Sequence, residues 1–238
     1  MKKILILLTL GMLPLFAIAG EGEKSCGAID CDKFEPALHD KESLQRGAKY
    51  FVNYCMGCHS MEYMRYERMA DDLGIPHELA QQNLNFSESN IGDLMKIAAP
   101  AKEQKAWFGA TPPDLTLVAR ARGVEWLYTY LRNFHQDDKR PYGVNNRVFK
   151  DVGMPHAMLE LQGMPKCAPG PVHAENGGIK RDPLTREEIL VDAKTGEALN
   201  PCGRLVVEKA GKMKPAEFDQ AVGDLTSFLA YAGEPSAL

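Results

Sequence analysis

The chain has 238 residues, of which 45% are apolar and 25% charged, a balance typical of folded globular proteins that excludes wholesale disorder. With 28 Lys and Arg against 32 Asp and Glu the net charge is −4, which argues against a nucleic-acid binder with its basic face. Six cysteines are too few for a small disulfide scaffold and too clustered in pairs to be core filler.

The first 19 residues read as an export signal. Lys2 and Lys3 form a positive start, residues 4–18 are almost continuously apolar, and Ala17-Ile18-Ala19 supplies the small-x-small pattern of a cleavage site before Gly20. The run is short for a spanning helix, and Pro14 interrupts it. Export places the rest of the chain, a single domain over 20–238, where paired cysteines oxidise and stay oxidised.

A polar entry segment over 20–40 carries Cys26 and Cys31. Residues 41 to about 70 read as helical: Leu44, Ala48, Phe51, Val52 and Cys55 make one apolar stripe, Asp40 or Ser43 caps its start, and Gly74 and Pro76 close the region. A second helical signal spans 90–99 and stops at Pro100. Thr111-Pro112-Pro113-Asp114 is a rigid turn leading into a helix with Leu115, Val118, Trp126, Tyr130 and Leu131 as core positions, broken in two at Gly123. Residues 140–146 are loop by composition.

An inserted excursion over about 163–210, rich in Pro, Gly and charge, contains β-like runs at 189–191 and 205–207. Pro215 opens a last helix, to about 232, in which Phe218, Val222, Leu225 and Leu229 share a face; Gly233-Glu234-Pro235 ends it. The expected fold is mainly α, with long loop insertions and a small β-like excursion.

Cys55-Met56-Gly57-Cys58-His59 carries the chemistry. A C-x-x-C-H pentapeptide is the attachment signature of a c-type haem. Cysteines at i and i+3 of a turn can both form thioethers with the vinyl groups on one porphyrin edge, and the next histidine projects its imidazole under the iron. A thioredoxin-like reading needs a βαβ setting that these helical surroundings lack. A zinc site needs a second ligand pair, and Cys167 and Cys202 stand too far apart in the sequence to supply it.

For the opposite iron ligand the spacing leaves a choice. Gly153-Met154-Pro155 and Gly163-Met164-Pro165 each hold a methionine in a tight, extended segment, with His135 and His156 as further candidates. Arg120 and Arg122 can pair with haem propionates or simply face solvent. Trp107, Phe108 and Trp126 either wall a pocket or fill core, and Asp71-Asp72 and Asp137-Asp138 either steer a basic partner or are ordinary surface. The four remaining cysteines allow three pairings; Cys26–Cys31 would staple the entry segment while Cys167–Cys202 closes the excursion.

Several further segments, taken in order, resemble one family. Gly47-Ala48-Lys49-Tyr50-Phe51-Val52-Asn53-Tyr54 leads into the haem motif, followed by Tyr63-Met64-Arg65-Tyr66. Then come Trp107-Phe108-Gly109-Ala110-Thr111-Pro112-Pro113-Asp114-Leu115, Trp126-Leu127-Tyr128-Thr129-Tyr130-Leu131, Arg140-Pro141-Tyr142-Gly143-Val144-Asn145-Asn146 and Val152-Gly153-Met154-Pro155-His156. From about Leu44 to Pro235 the chain resembles bacterial cytochrome c1, the haem subunit of the quinol–cytochrome c oxidoreductase (cytochrome bc1) complex.

The resemblance implies a cytochrome c-like domain with one haem c covalently held by Cys55 and Cys58, ligated by His59 and, opposite, by Met154 rather than Met164. It places Pro113 at the haem edge and Arg122, with Arg120, at a propionate. It implies electron transfer from a Rieske iron–sulfur protein to a soluble cytochrome c, with cytochrome b as a further partner. The subunit then lies on the periplasmic side of the bacterial inner membrane and does no bond chemistry of its own. The family's usual C-terminal membrane anchor is not seen in this chain, which keeps a free periplasmic shuttle as the alternative.

Overall fold

Asp40 starts the first helix by accepting a hydrogen bond from the Ser43 N–H at 3.0 Å, which satisfies one of the amides that a helix start leaves without a partner. In this computed structural model the described residues are 25–27, 29–171 and 199–238; the expected export signal and the β-like run at 189–191 lie outside them. Helix α1 (Lys41–Tyr50) runs into a π-helical turn, Phe51–Cys55, where the Met56 N–H donates to the Phe51 carbonyl at 2.9 Å. Widened turns of this kind concentrate at functional sites.

The single helix expected over 41–70 is therefore corrected. The chain leaves the helix at the haem motif, forms strand β1 (Met61–Arg65), and only then enters α2 (Tyr66–Leu73). The buried Met61 and Met64 stand three residues apart, a spacing that continues the helical pattern, and the irregular pairing of β1 buries both. Gly74, at φ +70°, ends α2 in the left-handed conformation that glycine adopts without a steric penalty. After α3 (His77–Asn83), the helix expected at 90–99 is replaced by turns and the two-residue strand β2 (Leu94–Met95), antiparallel to β1. Pro100 is the N-cap of helix α4 (Ala101–Phe108) rather than a stop signal, since a proline lacks the N–H that a helix start would waste.

Gly123 divides the next helical stretch, as expected, into α5 (Val118–Arg122) and α6 (Val124–Arg132). The loop expected at 140–146 ends in a strand: β4 (Val144–Asn146) pairs antiparallel with β3 (Phe134–Gln136). A short α7 (Leu159–Gln162) leads into β5 (Gly163–Pro171), whose partner is β6 (Leu199–Ala210). The β-like run at 205–207 pairs with residues 165–167 of β5. Both disulfides have the anticipated partners, Cys26–Cys31 and Cys167–Cys202.

Helix α8 (Pro215–Gly233) is the spine of the core, with Val222, Leu225, Phe228, Leu229 and Tyr231 all buried. It crosses α1 so closely that a Cβ on Gly47 would lie 2.2 Å from the Asp224 carbonyl oxygen. The Asp224 carboxylate, 1% exposed, is fully partnered at this crossing. It accepts from Ser43 Oγ at 2.7 Å, Arg46 Nε at 2.6 Å and Gln220 Nε2 at 2.9 Å. Farther along α8, Tyr231 donates to Asp72 of α2 at 2.8 Å. Among the described residues no helix is long and apolar enough to cross a membrane.

Candidate haem site

The π-helical turn delivers the C-x-x-C-H motif as one tight turn: the amides of Cys58 and His59 both donate to the Cys55 carbonyl at 3.0 Å. Cys55 is buried and Cys58 half-buried, and both are free thiols while the other four cysteines are paired. Burial, with a smaller contribution from Cys58, pushes the Cys55 thiol up to about 12.

His59 is buried, and its Nδ1 lies 2.7 Å from the Pro113 carbonyl oxygen. A carbonyl only accepts, so Nδ1 carries the hydrogen and the Nε2 lone pair is left for a metal. Metal-bound histidines are fixed by this outer hydrogen bond. Burial lowers the imidazole pKa, with the Pro113 bond and Asp114 opposing, which favours the neutral ligand form.

The carbonyl is held by a local ladder. The Leu115 N–H donates to the Ser60 carbonyl at 2.9 Å, and the Glu62 N–H donates to Asp114 Oδ2 at 2.7 Å. Asp114 Oδ1 also accepts from the Thr116 N–H at 2.9 Å, which fixes the turn. Pro112 and Pro113 have no N–H, so the segment meets the motif with acceptors only.

Met154 is half-buried in the loop after β4, and the Tyr130 hydroxyl lies 3.4 Å from its sulfur. Arg140 Nη2 donates to the Asp151 carbonyl at 2.6 Å and the Val152 carbonyl at 3.3 Å. Asn145 Oδ1 accepts from the Asp151 N–H at 2.8 Å. Asp151 adopts φ +60°, the only described non-glycine residue at positive φ, so its backbone is strained at the entry to the methionine segment.

Met164, the other candidate, belongs to β5 in the excursion hairpin. His156 is buried and stacked flat on Phe134 at 5.0 Å, and burial pushes it down to about 4. His135 is half-buried in β3, beside the Cys167–Cys202 disulfide. That bond denies a metal the two thiolates of this cluster.

Of the two arginines, Arg122 lies close enough to Tyr130 for its charge to act on that hydroxyl. Arg120 pairs with Glu234 at 2.9 Å, and the Arg122 guanidinium sits over the Trp126 ring at 5.1 Å. Trp107 is 57% exposed and is not core, whereas Trp126 stacks on Tyr130 at 4.8 Å. The acidic pairs are used locally: Asp71 meets His77 at 2.7 Å, Asp72 takes Arg68 and Tyr231, and Asp137 accepts from Asn145 at 2.9 Å.

The donor set fits a c-type haem: two thiols kept out of disulfides on one turn, an imidazole with Nε2 available, and a loop thioether. The sequence reading missed Arg140 and Asn145 as loop clamps, and treated Tyr130 as core alone. A polar tip on an otherwise buried aromatic, and polar side chains in a Gly/Pro-rich loop, were the available signals.

A family model described as the Cytochrome C1 family matches residues 34–164. The cytochrome c1 of Allochromatium vinosum is 43% identical over all of this chain and 87% of its own length. A Nitrosomonas europaea protein described as an ammonia monooxygenase gamma subunit is 38% identical over all of this chain and 86% of its own. The cytochrome c1 of Rhodospirillum rubrum is 27% identical over 52% of this chain and 54% of its own.

Proposed function

The chain belongs to the cytochrome c1 family, and from that premise we propose that Cys55 and Cys58 hold its haem through thioethers, with His59 and Met154 as iron ligands. The protein carries one covalently attached haem c and is an electron-transfer subunit of a membrane-bound quinol–cytochrome c oxidoreductase. When bound, the haem supplies a one-electron couple between ferrous and ferric iron.

The polypeptide's part is positioning. Pro113 holds the His59 imidazole in the tautomer that presents Nε2, and the Asp114 turn holds Pro113. The motif turn sets two thiols one helical turn apart. Arg140 and Asn145 hold the strained backbone from which Met154 projects. In this reading these groups hold and orient the haem and the subunit does no bond chemistry of its own; quinol oxidation belongs to the assembled complex.

Residues 1–19 are the export signal and 20–238 the haem domain, which works on the periplasmic side of the inner membrane. It accepts electrons from a Rieske iron–sulfur protein beside cytochrome b and passes them to a soluble cytochrome c. Arg122, with Arg120, would serve the propionates once the haem is in place.

The observation that carries this reading is the His59–Pro113 hydrogen bond beside the two unpaired thiols of Cys55 and Cys58. Comparison of the native protein with Met154→Leu and Met164→Leu tests it. The sulfur-to-iron charge-transfer band of the ferric protein is lost in Met154→Leu and kept in Met164→Leu. Mass spectrometry giving only the apoprotein mass after expression in cells that mature such cytochromes would refute the thioether attachment.

A further inference from the structure

Tyr130 is held on two sides through its ring and on a third through its backbone. Its ring stacks on Trp126, four residues earlier on α6, with an interplanar angle of 10°. It meets Phe134, four residues later, edge-on at 5.1 Å. Its own carbonyl accepts from Asn146 Nδ2 at 2.8 Å, tying α6 to β4. A ring clamped in this way cannot swing its hydroxyl to a better acceptor, yet the group it meets is a thioether, among the weakest acceptors in a protein. Burying a phenol normally requires a stronger partner, so the placement calls for a reason beyond packing.

We infer that Tyr130 is a positioning residue for the haem iron's sulfur ligand: its hydroxyl donates to Met154 Sδ and so orients the sulfur and raises the reduction potential. This rests on the reading of Met154 as the iron ligand. A thioether sulfur has two lone pairs. With one engaged by the Tyr130 hydroxyl, only the other remains for a metal, which selects one of two mirror-related ways to ligate. The hydrogen bond also withdraws electron density from the sulfur. A poorer donor stabilises ferric iron less than a better one, so the ferrous form gains. A charge-independent contact such as packing would produce neither effect through the sulfur.

The test is a double-mutant cycle on the haem-loaded protein, read by redox titration and by the charge-transfer band. Tyr130→Phe keeps the ring and removes only the hydroxyl. It should retain the band and lower the preference for the ferrous state about threefold, or about 30 mV at 59 mV per tenfold for one electron. In a Met154→Leu background the same Tyr130→Phe change should leave the potential where Met154→Leu alone puts it, because the acceptor is gone. An unchanged potential in the single variant, with the band present, overturns the inference. So does an equal shift in both backgrounds, which would make Tyr130 a packing or dielectric effect. Retention of the band in Met154→Leu itself overturns the ligand assignment and this inference with it.

Discussion

The seam between α1 and α8 is held by burial and close backbone approach, whereas the haem face is held by single hydrogen bonds reaching out of loops. At the seam, Gly47 lets the helices touch and Asp224 gathers donors from Ser43, Arg46 and Gln220 in a nearly dry site. At the haem face, the Pro113 carbonyl aims His59, the Tyr130 hydroxyl aims Met154, and Arg140 pins the loop before it. A net hydrogen bond contributes about 1 kcal/mol, while a disrupted buried crossing costs several times that. The two regions therefore separate stability from ligand geometry, and damage to each should give a different phenotype.

The largest effect is expected at the seam. Gly47→Ala puts a methyl group 2.2 Å from a backbone oxygen that cannot rotate away. The helices must separate, at about 3 kcal/mol or more. For a chain of this size that lowers the thermal midpoint by roughly 6–12 °C. An unchanged midpoint in thermal unfolding of the holoprotein would show that the crossing is not close-packed in solution.

Asp224→Asn comes next. It keeps the volume but leaves Arg46 facing a neutral amide, and burial of the carboxylate magnifies the loss to about 2 kcal/mol by denaturant titration. The haem spectrum should be unaltered. Met154→Leu is the inverse case: it keeps the side-chain volume and is read chiefly in the spectrum, where the sulfur-to-iron band disappears, so the same two measurements give the opposite pattern.

A smaller, pH-dependent effect is expected at His135, whose pKa burial lowers against the opposing pull of Asp137. Between the unfolded value near 6.5 and the lower folded value, the unfolded chain binds a proton that the folded one refuses. Stability from this group is thus full above about pH 6.5 and declines as the pH falls through the folded pKa. His135→Gln should flatten that acid limb in denaturation midpoints measured across pH; an identical limb would assign it to other groups. The smallest effect belongs to the surface pair Lys33–Glu125, at 3.4 Å with the lysine 82% exposed. Its removal by Glu125→Gln should change stability by less than about 0.5 kcal/mol.

Much of the scaffold was legible because it follows local rules. The stripe of Phe218, Val222, Leu225 and Leu229 behind Pro215 became α8, Gly123 split α5 from α6, and the paired cysteines closed as expected. Two helices were misread for one reason. Met61 and Met64 stand at a helical spacing, but pairing of residues 61–65 with 94–95, through an irregular register, made both segments strands.

In the site, the thiols and the histidine were plain in the pentapeptide, but their orientation was not. Pro113 acts through a backbone carbonyl, which every residue possesses and no sequence pattern marks. Tyr130 reads as a core aromatic from its spacing, and only the fold brings its hydroxyl to a methionine 24 positions away.

By itself, the sequence determined the covalent chemistry and the order of the pieces, because C-x-x-C-H, capping residues and apolar periodicity act within one or two turns of chain. Which methionine meets a tyrosine hydroxyl, which carbonyl fixes the histidine tautomer, and how near α1 comes to α8 were decided by tertiary structure alone. Those are contacts between distant segments, and hydrogen bonds and close packing act over a few ångströms of space regardless of how much chain lies between.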